Sequence, residues 1–385
     1  MKRGILAGLL VVLAGSLTVA LARQPDRASQ PPGSPPRKAA TAVARPAKPD
    51  IYYIVLDRYG GWRTLKRDFG FDNRPFLRFL RRKGFFVADD ARTNYPRTAQ
   101  AVAATLDMRF LDYLGDRSED PLNYGAVYKT LKKPRVARFL KSKGYRYIKL
   151  GSWWKATSSD PYADKNFRYD KPDTLNAYAT EHGLSNRERF RMGEYLHRYW
   201  QYRQLREVIP TMEGPKFVWV HILCPHEPWV NAGDGRYMSN NPVARRFFDR
   251  ARPLERGNKN NFVEQVKWTN GQLKKLVNRL LRAPQAERPV ILIQADEGPY
   301  TGLVPETATK VSIKKLKQKM FVMNAFYLPG VPEPPLYPSF SSVNTFRVIF
   351  NEYFGTRYPL LPDRSFVFIY KHLYKFLDVT ELVTE

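Results

Sequence analysis

The amino-acid sequence predicts an α/β fold in which one central sheet lies between helices on both faces. Short runs rich in β-branched and aromatic residues alternate with segments that have helical apolar spacing. With 385 residues, 43% hydrophobic and 14% aromatic, the chain can bury a large core. No internal repeat and no second linker interrupts this pattern, so residues 50–385 are interpreted as one domain.

Six runs are predicted as strands because each is short, apolar and bounded by turn residues. In chain order they are IYYIVL (51–56), GFFVAD (84–89), YRYIKLG (145–151), KFVWVHIL (216–223), PVILIQA (289–295) and FVMNAFYL (321–328). Helices are predicted over 74–83, 97–106, 135–143, 186–208, 262–282 and 343–354. In the fifth of these, Val266 and Leu273 fall on one side and Lys267 and Lys274 on the other, which indicates core packing.

The N-terminus predicts export. Lys2 and Arg3 precede an uncharged apolar stretch that ends in Ala20-Leu21-Ala22, a pattern typical of a signal peptide over residues 1–22. The stretch is also about long enough to remain uncleaved as a membrane anchor. Residues 23–49, rich in Pro, Ala and Ser, are predicted to form a disordered linker. The protein is therefore expected to be periplasmic or otherwise extracytoplasmic, with anchoring to the inner membrane as the alternative to cleavage.

The formal charge of +28 would attract nucleic acid, anionic lipid or acidic polymers. The basic residues are spread along the predicted helices, which is typical of solvated helix faces, and export argues against a nucleic-acid partner. A single cysteine, Cys224, excludes an internal disulfide framework and a multi-cysteine zinc site. Because Cys224 lies in an apolar run, it is predicted to be a buried thiol.

Carboxylates follow two of the predicted strands. Asp57 ends the first strand, and Asp296 and Glu297 follow PVILIQA. In open α/β sheets, functional groups collect at the carboxyl ends of strands, and a carboxylate cluster there requires a compensating cation. A hard divalent metal ion would supply it. Taken singly, each acid could instead cap a helix or pair with Lys or Arg.

A hydroxyl is predicted at the start of a helix in NYPRTAQAVAATLDM (94–108). Pro96 suits a first helical turn and places Thr98 near the helix N-terminus, where the dipole favours a deprotonated oxygen. A metal ion bound to this oxygen would activate it as a nucleophile. The alternative is that Thr98 only caps the helix.

Two of the five histidines lie close together in HILCPHEPW (221–229). His221 lies near the end of a predicted strand and His226 follows in a Pro-punctuated loop. The pairing and the loop position suggest ligand, acid–base or anion-binding roles. A single histidine would more often be a hydrogen-bonded core residue.

These stretches together resemble the sulfatase-like members of the alkaline phosphatase superfamily. The resemblance is closest to the bacterial envelope branch, which includes lipoteichoic acid synthases and phosphoethanolamine transferases. It covers residues 50 to about 368, and six stretches carry it in the family's order: DIYYIVLDRYGG, TNYPRTAQAVAATLDM, IKLGSWWKAT, FVWVHILCPHEPWV, VILIQADEGPYTG and SSVNTFRVIFNEYFGTRYPLLPDRS.

The resemblance implies a mixed, mostly parallel sheet between helices and a metal-assisted displacement at phosphorus or sulfur. Asp57 and Asp296 match metal ligands, and Thr98 matches the nucleophile that also binds the metal. His226, and less closely His221, match histidines that contact the transferred group or its leaving oxygen, and His226 would protonate the leaving alcohol. The remaining expected roles are charge neutralisation by Arg97 and contact with the substrate by Trp153 and Trp154.

The chain departs from the family at three places. Glu297 stands where the family usually has His, so that an all-oxygen site shifts the metal preference from zinc toward manganese, magnesium or calcium. Arg58 stands where two-metal members place an acid, which predicts one divalent ion. Residues 94–98 lack the Cys or Ser that sulfate-ester hydrolases convert to formylglycine, so phosphate esters are expected rather than sulfate esters.

The leading hypothesis is an exported, metal-dependent phosphotransferase or phosphodiester hydrolase that uses Thr98 as nucleophile. Its expected partner is an anionic envelope substrate, either a phospholipid head group or a phosphoglycerol-type polymer. The alternative is a catalytically silent family member that binds metal or an anionic envelope polymer, and the loss of the family His favours it. A nucleic-acid-binding protein, suggested only by the +28 charge, is contradicted by the export signal.

Overall fold

The central sheet has seven strands within the residues that the computed structural model describes, which are 48–117, 123–299, 312–369 and 372–384. The predicted signal peptide (1–22) and all of the predicted linker (23–49) except its last two residues lie outside these ranges. In the described part of the chain, no helix combines the length and the apolar character needed to cross a bilayer.

The strands are numbered in chain order. They are β1 (Ile51–Asp57), β2 (Phe86–Val87), β3 (Arg146–Leu150), β4 (Lys165–Phe167), β5 (Lys216–Pro225), β6 (Tyr237–Met238), β7 (Ala251–Arg252), β8 (Val290–Ala295), β9 (Asn324–Tyr327), β10 (Phe366–Ile369) and β11 (His372–Asp378). The sheet order is β2-β9-β8-β1-β5-β3-β4, and the four pairs among β8, β1, β5, β3 and β4 are parallel. The two pairs that involve β9 are antiparallel. The predicted mixed, mostly parallel sheet is confirmed.

The helices are also numbered in chain order. They are α1 (Trp62–Phe69), α2 (Arg74–Arg82), α3 (Thr98–Asp107), α4 (Gly125–Lys132), α5 (Arg135–Ser142), α6 (Asp173–Glu181), α7 (Asn186–Arg203), α8 (Pro242–Arg246), α9 (Asn258–Leu280), α10 (Ile313–Met320) and α11 (Thr345–Phe354). Each of the six predicted helices is present, with ends shifted by a few residues. The 186–208 prediction divides into α7 and a π-helical turn, Gln204–Val208.

The three central strands are buried along their whole length. Every residue of β1, β5 and β8 is buried, which explains why these strands read as continuous apolar runs rather than as alternating patterns. Along α9, Val266 and Leu273 are buried while Lys267 is exposed, as the apolar stripe predicts. Cys224 is a buried free thiol, as expected, and its Sγ lies 3.2 Å from Thr269 Oγ1.

The segment that leads into α3 is held by the C-terminal part of the chain. Asn94 Oδ1 accepts from the backbone N–H of Val343 at 2.9 Å, and the Asn94 carbonyl accepts from Phe366 N–H at 2.9 Å. Ser365 Oγ donates to the Thr93 carbonyl at 3.0 Å. Residues far apart in sequence therefore fix where α3 begins, and with it the position of Thr98.

Candidate metal centre and active site

Strand register brings three polar side chains to the same face at the carboxyl edge of the sheet. Val55 of β1 pairs with His221 of β5, and Leu56 pairs with Ala295, the last residue of β8. Side chains alternate between faces along a strand, and in-register parallel neighbours share a face. Asp57, His221 and Asp296 therefore converge although they are up to 239 positions apart.

These three residues form a group that could hold a metal ion, because one ligand atom from each lies within 4.8 Å of the others. His221 Nε2 is 3.6 Å from Asp57 Oδ2 and 3.7 Å from Asp296 Oδ2. All three side chains are buried, and Asp57 Oδ1, His221 Nε2 and Asp296 Oδ2 have no hydrogen-bond partner in the described part of the chain. Buried polar atoms without partners are costly, so this donor set fits a cation bound between them.

The far side of the His221 ring is fixed by hydroxyl groups. His221 Nδ1 lies 3.0 Å from Thr157 Oγ1, which is 2.7 Å from Ser152 Oγ. If Nδ1 donates its proton to Thr157, then Nε2 presents its lone pair to the carboxylates, as a metal-binding imidazole must. The Trp154 ring lies edge-on to His221 with the ring centroids 6.0 Å apart. Trp154 therefore supports a candidate metal ligand.

Burial and charge act in opposite ways on the two aspartates. Burial, reinforced by the facing carboxylate of Asp296, holds the pKa of Asp57 well above its usual range. Burial alone would also raise the pKa of Asp296, but the His221 imidazole, the Thr98 hydroxyl and the Arg58 backbone N–H lower it overall. Asp57 is therefore the more readily protonated of the two aspartates.

Asp296 is the anchored ligand. Its Oδ1 accepts backbone N–H bonds from Arg58 at 3.1 Å and from Glu297 at 2.6 Å, which leaves Oδ2 facing His221. The Asp296 carbonyl accepts from Thr93 Oγ1 at 2.6 Å. The residue is thus tied both to the β1 loop and to the segment before α3.

Thr98 is the first residue of α3, and the rest of that helix is buried. Its hydroxyl acts on the Asp296 carboxylate and contributes to the lowered pKa of that group. Arg97 precedes it in an extended conformation, and the Arg97 Nε is buried without a hydrogen-bond partner among the described residues. A hydroxyl at a helix N-terminus therefore lies at the edge of the metal centre, and the residue before it in sequence carries a buried guanidinium nitrogen without a partner.

Arg58 links the two carboxylate loops. Its backbone is left-handed, with φ of 64°, an uncommon conformation for a residue with a side chain. Its Nε donates to Glu297 Oε1 at 3.1 Å and lies 4.0 Å from Asp57 Oδ1, and its Nη1 lies 3.9 Å from Glu227 Oε1. Arg58 therefore brings a positive charge to the position at which two-metal members of the family were expected to have a second acidic ligand.

Glu297 lies outside the three-residue ligand group. Its Oε1 pairs with Lys319 Nζ at 2.7 Å as well as with Arg58, while Oε2 is buried with no hydrogen-bond partner in the part of the chain that the structure describes. Gly298 makes this arrangement possible. Its N–H donates to the Lys319 carbonyl at 2.7 Å, and a Cβ at Gly298 would lie 2.2 Å from the Gln318 carbonyl oxygen.

His226 lies beside the cluster, at the turn after β5. Its Nδ1 donates to the Glu227 carbonyl, and its backbone N–H donates to the Asp57 carbonyl at 3.2 Å. Burial, with the nearby Arg58 cation, lowers the pKa of His226 to about 4. The ring is therefore neutral at pH 7, with the Nε2 lone pair available as a proton acceptor.

Two buried side chains hold the loop that carries His226. Arg198 of α7 donates to the carbonyls of Leu223 at 2.8 Å and His226 at 3.0 Å, and it also contacts Gln265. Gln265 of α9 donates to the carbonyls of Pro225 at 3.0 Å and His226 at 2.9 Å. The loop's carbonyls are thus satisfied by side chains rather than by a sheet ladder.

This loop lines one of two pockets that share a wall made of Trp153 and Phe190, whose rings meet edge to face at 5.2 Å. One, of about 520 Å³, is lined by His226 together with Trp229. The other, of about 360 Å³, is lined by Ser152. Trp153 is 42% exposed, so it is accessible to a substrate, whereas Trp154 contacts His221.

Comparison with known proteins identifies the family. Residues 49–323, more than half of the chain, match the protein-family model described as Sulfatase. The chain is a member of the sulfatase family. The resemblance found in the sequence is therefore confirmed, and so is the alkaline phosphatase-like fold. A search of the curated proteins found no match to this sequence.

Solved structures share the fold of this sulfatase-family chain. The C-terminal periplasmic domain of EcEptC from Escherichia coli is 12% identical, with 88% of this chain and 94% of that domain covered and a TM-score of 0.53. The same domain in a structure described as a complex with Zn is 13% identical, with 83% and 85% covered and a TM-score of 0.52. At this level of identity the similarity establishes the fold alone.

Several residues at the centre of this sulfatase-family site were not assigned from the sequence. Lys319 was not singled out because nothing distinguishes it from the other 63 Lys and Arg residues until its contact with Glu297 is seen. His221 was assigned to substrate, and its place among the possible metal ligands follows from strand register. Thr157 and Arg198 act through contacts that no local pattern encodes.

Proposed function

We propose that this sulfatase-family protein is an exported, metal-dependent phosphotransferase or phosphodiester hydrolase that acts on a cell-envelope ester. The observation that carries the proposal is the convergence of Asp57, His221 and Asp296, each of which offers a ligand atom within 4.8 Å of the others, beside the Thr98 hydroxyl. Oxygen and nitrogen donors arranged around one point, next to a hydroxyl at a helix N-terminus, suit metal-assisted group transfer.

One divalent ion would be held by Asp57, His221 and Asp296 together with the Thr98 hydroxyl. Glu297 Oε2, the remaining unpartnered oxygen of the cluster, is the candidate for a further ligand. When bound, the ion supplies electrophilic polarisation of a phosphoryl oxygen and favours the deprotonated form of an alcohol. A set of four oxygen ligands would favour hard cations, whereas the His221 nitrogen is also a good ligand for zinc. Zinc therefore stays a candidate together with manganese, magnesium and calcium.

Thr98 is proposed as the nucleophile. Its Oγ would form a bond to phosphorus while the bond from phosphorus to the leaving alcohol breaks. The contact with Asp296 gives the hydroxyl proton an acceptor, from which the leaving oxygen can take it. The N-terminus of α3 favours the developing negative charge on this oxygen. Because residues 94–98 contain neither the Cys nor the Ser that a sulfate-ester hydrolase converts to formylglycine, the proposal is for phosphate esters rather than sulfate esters.

Three cations can bind the anionic oxygens of the transferred group. Arg97, which precedes Thr98 in sequence, has an unpartnered buried nitrogen, and Arg58 and Lys319 lie at the Glu297 side of the cluster. With Asp57, Asp296 and Glu297 all ionised beside Arg58 and Lys319, a bound divalent ion would give the cluster one net positive charge, whereas without the ion the cluster has no net positive charge. An anionic substrate is therefore favoured only after an ion is bound.

His226 is better suited to accept a proton than to donate one. Since its pKa is about 4 and Nδ1 is committed to the Glu227 carbonyl, Nε2 is unprotonated at pH 7. It would take the proton of the water or acceptor alcohol that releases the phosphoryl group from Thr98. Protonation of the first leaving alcohol by His226 would require the ring to gain a proton beforehand, so the base role is the one favoured here.

The proposal is tested with bis(p-nitrophenyl) phosphate, manganese or zinc ions and three forms of the protein. The wild type should release p-nitrophenol, Thr98→Ala should lose activity by about 10³-fold or more, and Thr98→Ser should retain a measurable rate. Intact-mass analysis after rapid acid quenching should show a phosphoryl adduct on the wild type. The adduct can also appear on Thr98→Ser, but it should be absent from Thr98→Ala. Equal activity of the wild type and Thr98→Ala would contradict the role of Thr98.

The arrangement of Glu297 also favours a second function, in which the protein binds an anionic envelope polymer without turnover. Glu297 replaces a family ligand and its Oε1 is taken by two cations. In that case no divalent ion would elicit phosphodiesterase activity from the wild type, while Thr98→Ala would retain full polymer binding. Either function fits an extracytoplasmic location, which is supported by the fold shared with the EcEptC domain, itself a periplasmic domain.

A further inference from the structure

The pocket of about 360 Å³, here called the Arg168 pocket, lies next to the proposed catalytic centre but holds none of its residues. Its wall includes Ser152, Trp153, Arg168, Tyr169 and Lys171. Trp153 also lines the pocket that holds His226. The two pockets are therefore adjacent compartments on either side of one exposed aromatic ring.

The Arg168 pocket is connected to the metal centre through two hydrogen bonds. Ser152 Oγ in the pocket wall is 2.7 Å from Thr157 Oγ1, and Thr157 Oγ1 is 3.0 Å from Nδ1 of the candidate ligand His221. Only the Thr157 side chain therefore lies between Ser152 in the pocket wall and the candidate metal ligand His221. A substrate longer than one phosphodiester unit would extend from the centre into such a compartment.

The charge of the pocket favours an anion. Among the described residues, neither the Arg168 nor the Lys171 side chain has a hydrogen bond or an ion pair, and both are exposed at the pocket. The acid in the wall, Glu194, is already engaged, because it lies 3.4 Å from His197 Nδ1 and 4.0 Å from Arg198 Nε. Neither cation is therefore held in an ion pair, and Asp170, whose charge also acts on Tyr169, is the remaining nearby acid.

A buried hydroxyl adds a directional donor. The Tyr169 ring stacks on His197 with the centroids 4.7 Å apart and the planes at 6°, which fixes its orientation. The Tyr169 hydroxyl is buried and has no hydrogen-bond partner in the described part of the chain. Burial, together with the nearby Glu194 charge, raises the pKa of Tyr169, so the group stays protonated. An unpartnered buried donor calls for an acceptor that the protein itself does not provide.

We propose that the Arg168 pocket binds a second phosphodiester of the same substrate chain, with Arg168, Lys171 and the Tyr169 hydroxyl as its partners. The inference rests on the proposed function, and it narrows the substrate class. A polymer with repeating phosphodiesters can place one group at Thr98 and the next in this pocket. A lipid head group with a single phosphodiester cannot occupy both.

The test is isothermal titration of the full chain, as Thr98→Ala so that nothing is consumed, with glycerol-phosphate oligomers that carry one or three phosphodiesters. In the Thr98→Ala background the three-diester ligand should bind more tightly than the one-diester ligand. Adding Arg168→Ala with Lys171→Ala should weaken the three-diester ligand by about 5-fold and leave the one-diester ligand within about twofold. Adding Tyr169→Phe alone should weaken the three-diester ligand by about 3-fold.

A charge-matched control removes Arg146 and Lys165, two exposed cations outside both pockets. This pair of alanine substitutions should change the affinity for the two ligands equally and slightly. The proposal is wrong if the three-diester ligand binds no tighter than the one-diester ligand, or if the control reproduces the effect of the pocket variants. An oligosaccharide with three sulfates that binds more tightly than the phosphate oligomer, and depends on Arg168, would overturn the assignment to phosphodiesters.

The outcome separates this inference from the proposed function. Loss of selective binding in the pocket variants, together with wild-type protein that hydrolyses neither ligand with any divalent ion, would mean that the pocket assignment stands and the catalytic proposal fails. Hydrolysis of both ligands at equal efficiency, with no effect of Arg168 or Lys171 on binding, would mean the reverse.

Discussion

Lys319 Nζ lies 2.7 Å from Glu297 Oε1, one position after the candidate metal ligand Asp296. Both side chains are nearly inaccessible, and the Arg58 Nε approaches the same oxygen at 3.1 Å. The residue that departs from the family pattern therefore acts as the counter-ion of two buried cations. This contact makes Glu297 a structural residue whatever further role its second oxygen has.

Replacing Glu297 with alanine should destabilise the protein. The substitution leaves the Lys319 ammonium and part of the Arg58 charge buried without compensation, which costs about 3 kcal/mol of the free energy of unfolding. The measurement is urea denaturation followed by circular dichroism. The matched control is Glu227→Ala, since Glu227 also faces Arg58 at 3.9 Å but is 54% exposed, and it should change stability by less than about 0.5 kcal/mol. Similar losses in the two variants would contradict this account.

Asp57→Asn should make the metal-free protein more stable while it abolishes metal binding. The Asp57 carboxylate is buried beside Asp296 and Glu297, and removing its charge relieves desolvation and repulsion. The expected gain is about 1 kcal/mol in the presence of a chelator. With excess manganese the order should reverse, because only the wild type is stabilised by a bound ion. Thermal denaturation with and without metal compares the two; a variant less stable than the wild type in chelator would be the contrary result.

Metal affinity should rise with pH. The pKa of Asp57 is held well above its usual range in the folded, metal-free state, so protons compete with the ion for this ligand. Below that pKa, the dissociation constant should fall by about tenfold for each pH unit gained. The raised pKa of Asp57 has the opposite effect on the stability of the metal-free protein. The stability that the protonated carboxyl contributes is present at low pH and is lost as the pH rises through the pKa of the folded state. Titration calorimetry in buffers of different ionisation enthalpy should show that each bound ion releases a proton.

Arg198→Lys should slow catalysis without weakening metal binding. Arg198 satisfies the carbonyls of Leu223 and His226, and a lysine cannot make these contacts together. Displacement of His226 by a fraction of an ångström should lower kcat by about 10- to 100-fold, whereas KM and the metal dissociation constant stay close to the wild-type values. Arg203→Lys, on the same helix but 70% exposed, is the control and should be neutral. A loss of metal affinity in Arg198→Lys would show that the residue supports the fold rather than the His226 loop.

The sequence predicted the candidate site best at the positions where a buried strand is followed by an acidic residue. Asp57 and Asp296 could be placed at one edge because buried parallel strands read as continuous apolar runs, and the change from apolar to acidic marks the strand end. The order of strands, and the register that sets His221 opposite Val55, depend on long-range pairing and leave no local pattern. The side-chain direction of His221 in β5 was therefore not predictable.

Charge pairing was the other limit. Cations are so abundant in this chain that Lys319, Arg168 and Lys171 have no distinguishing sequence context. Only the folded chain shows that one of them neutralises Glu297 while the other two face a pocket. Helices such as α1 and α6 were also not predicted, since they are short and their apolar residues are few.

The left-handed backbone of Arg58 has a further consequence. One residue delivers an N–H to the Asp296 carboxylate and a guanidinium to Glu297, so ligand geometry and local charge are set by the same pair of dihedral angles. Glycine at position 58 would adopt the left-handed conformation without strain but would provide no charge. Other residues would be strained in this conformation and would lack the several N–H donors of a guanidinium. A substitution at residue 297 that is meant to change the metal preference would therefore remove the acceptor of the Arg58 guanidinium, so residue 58 would have to be changed as well.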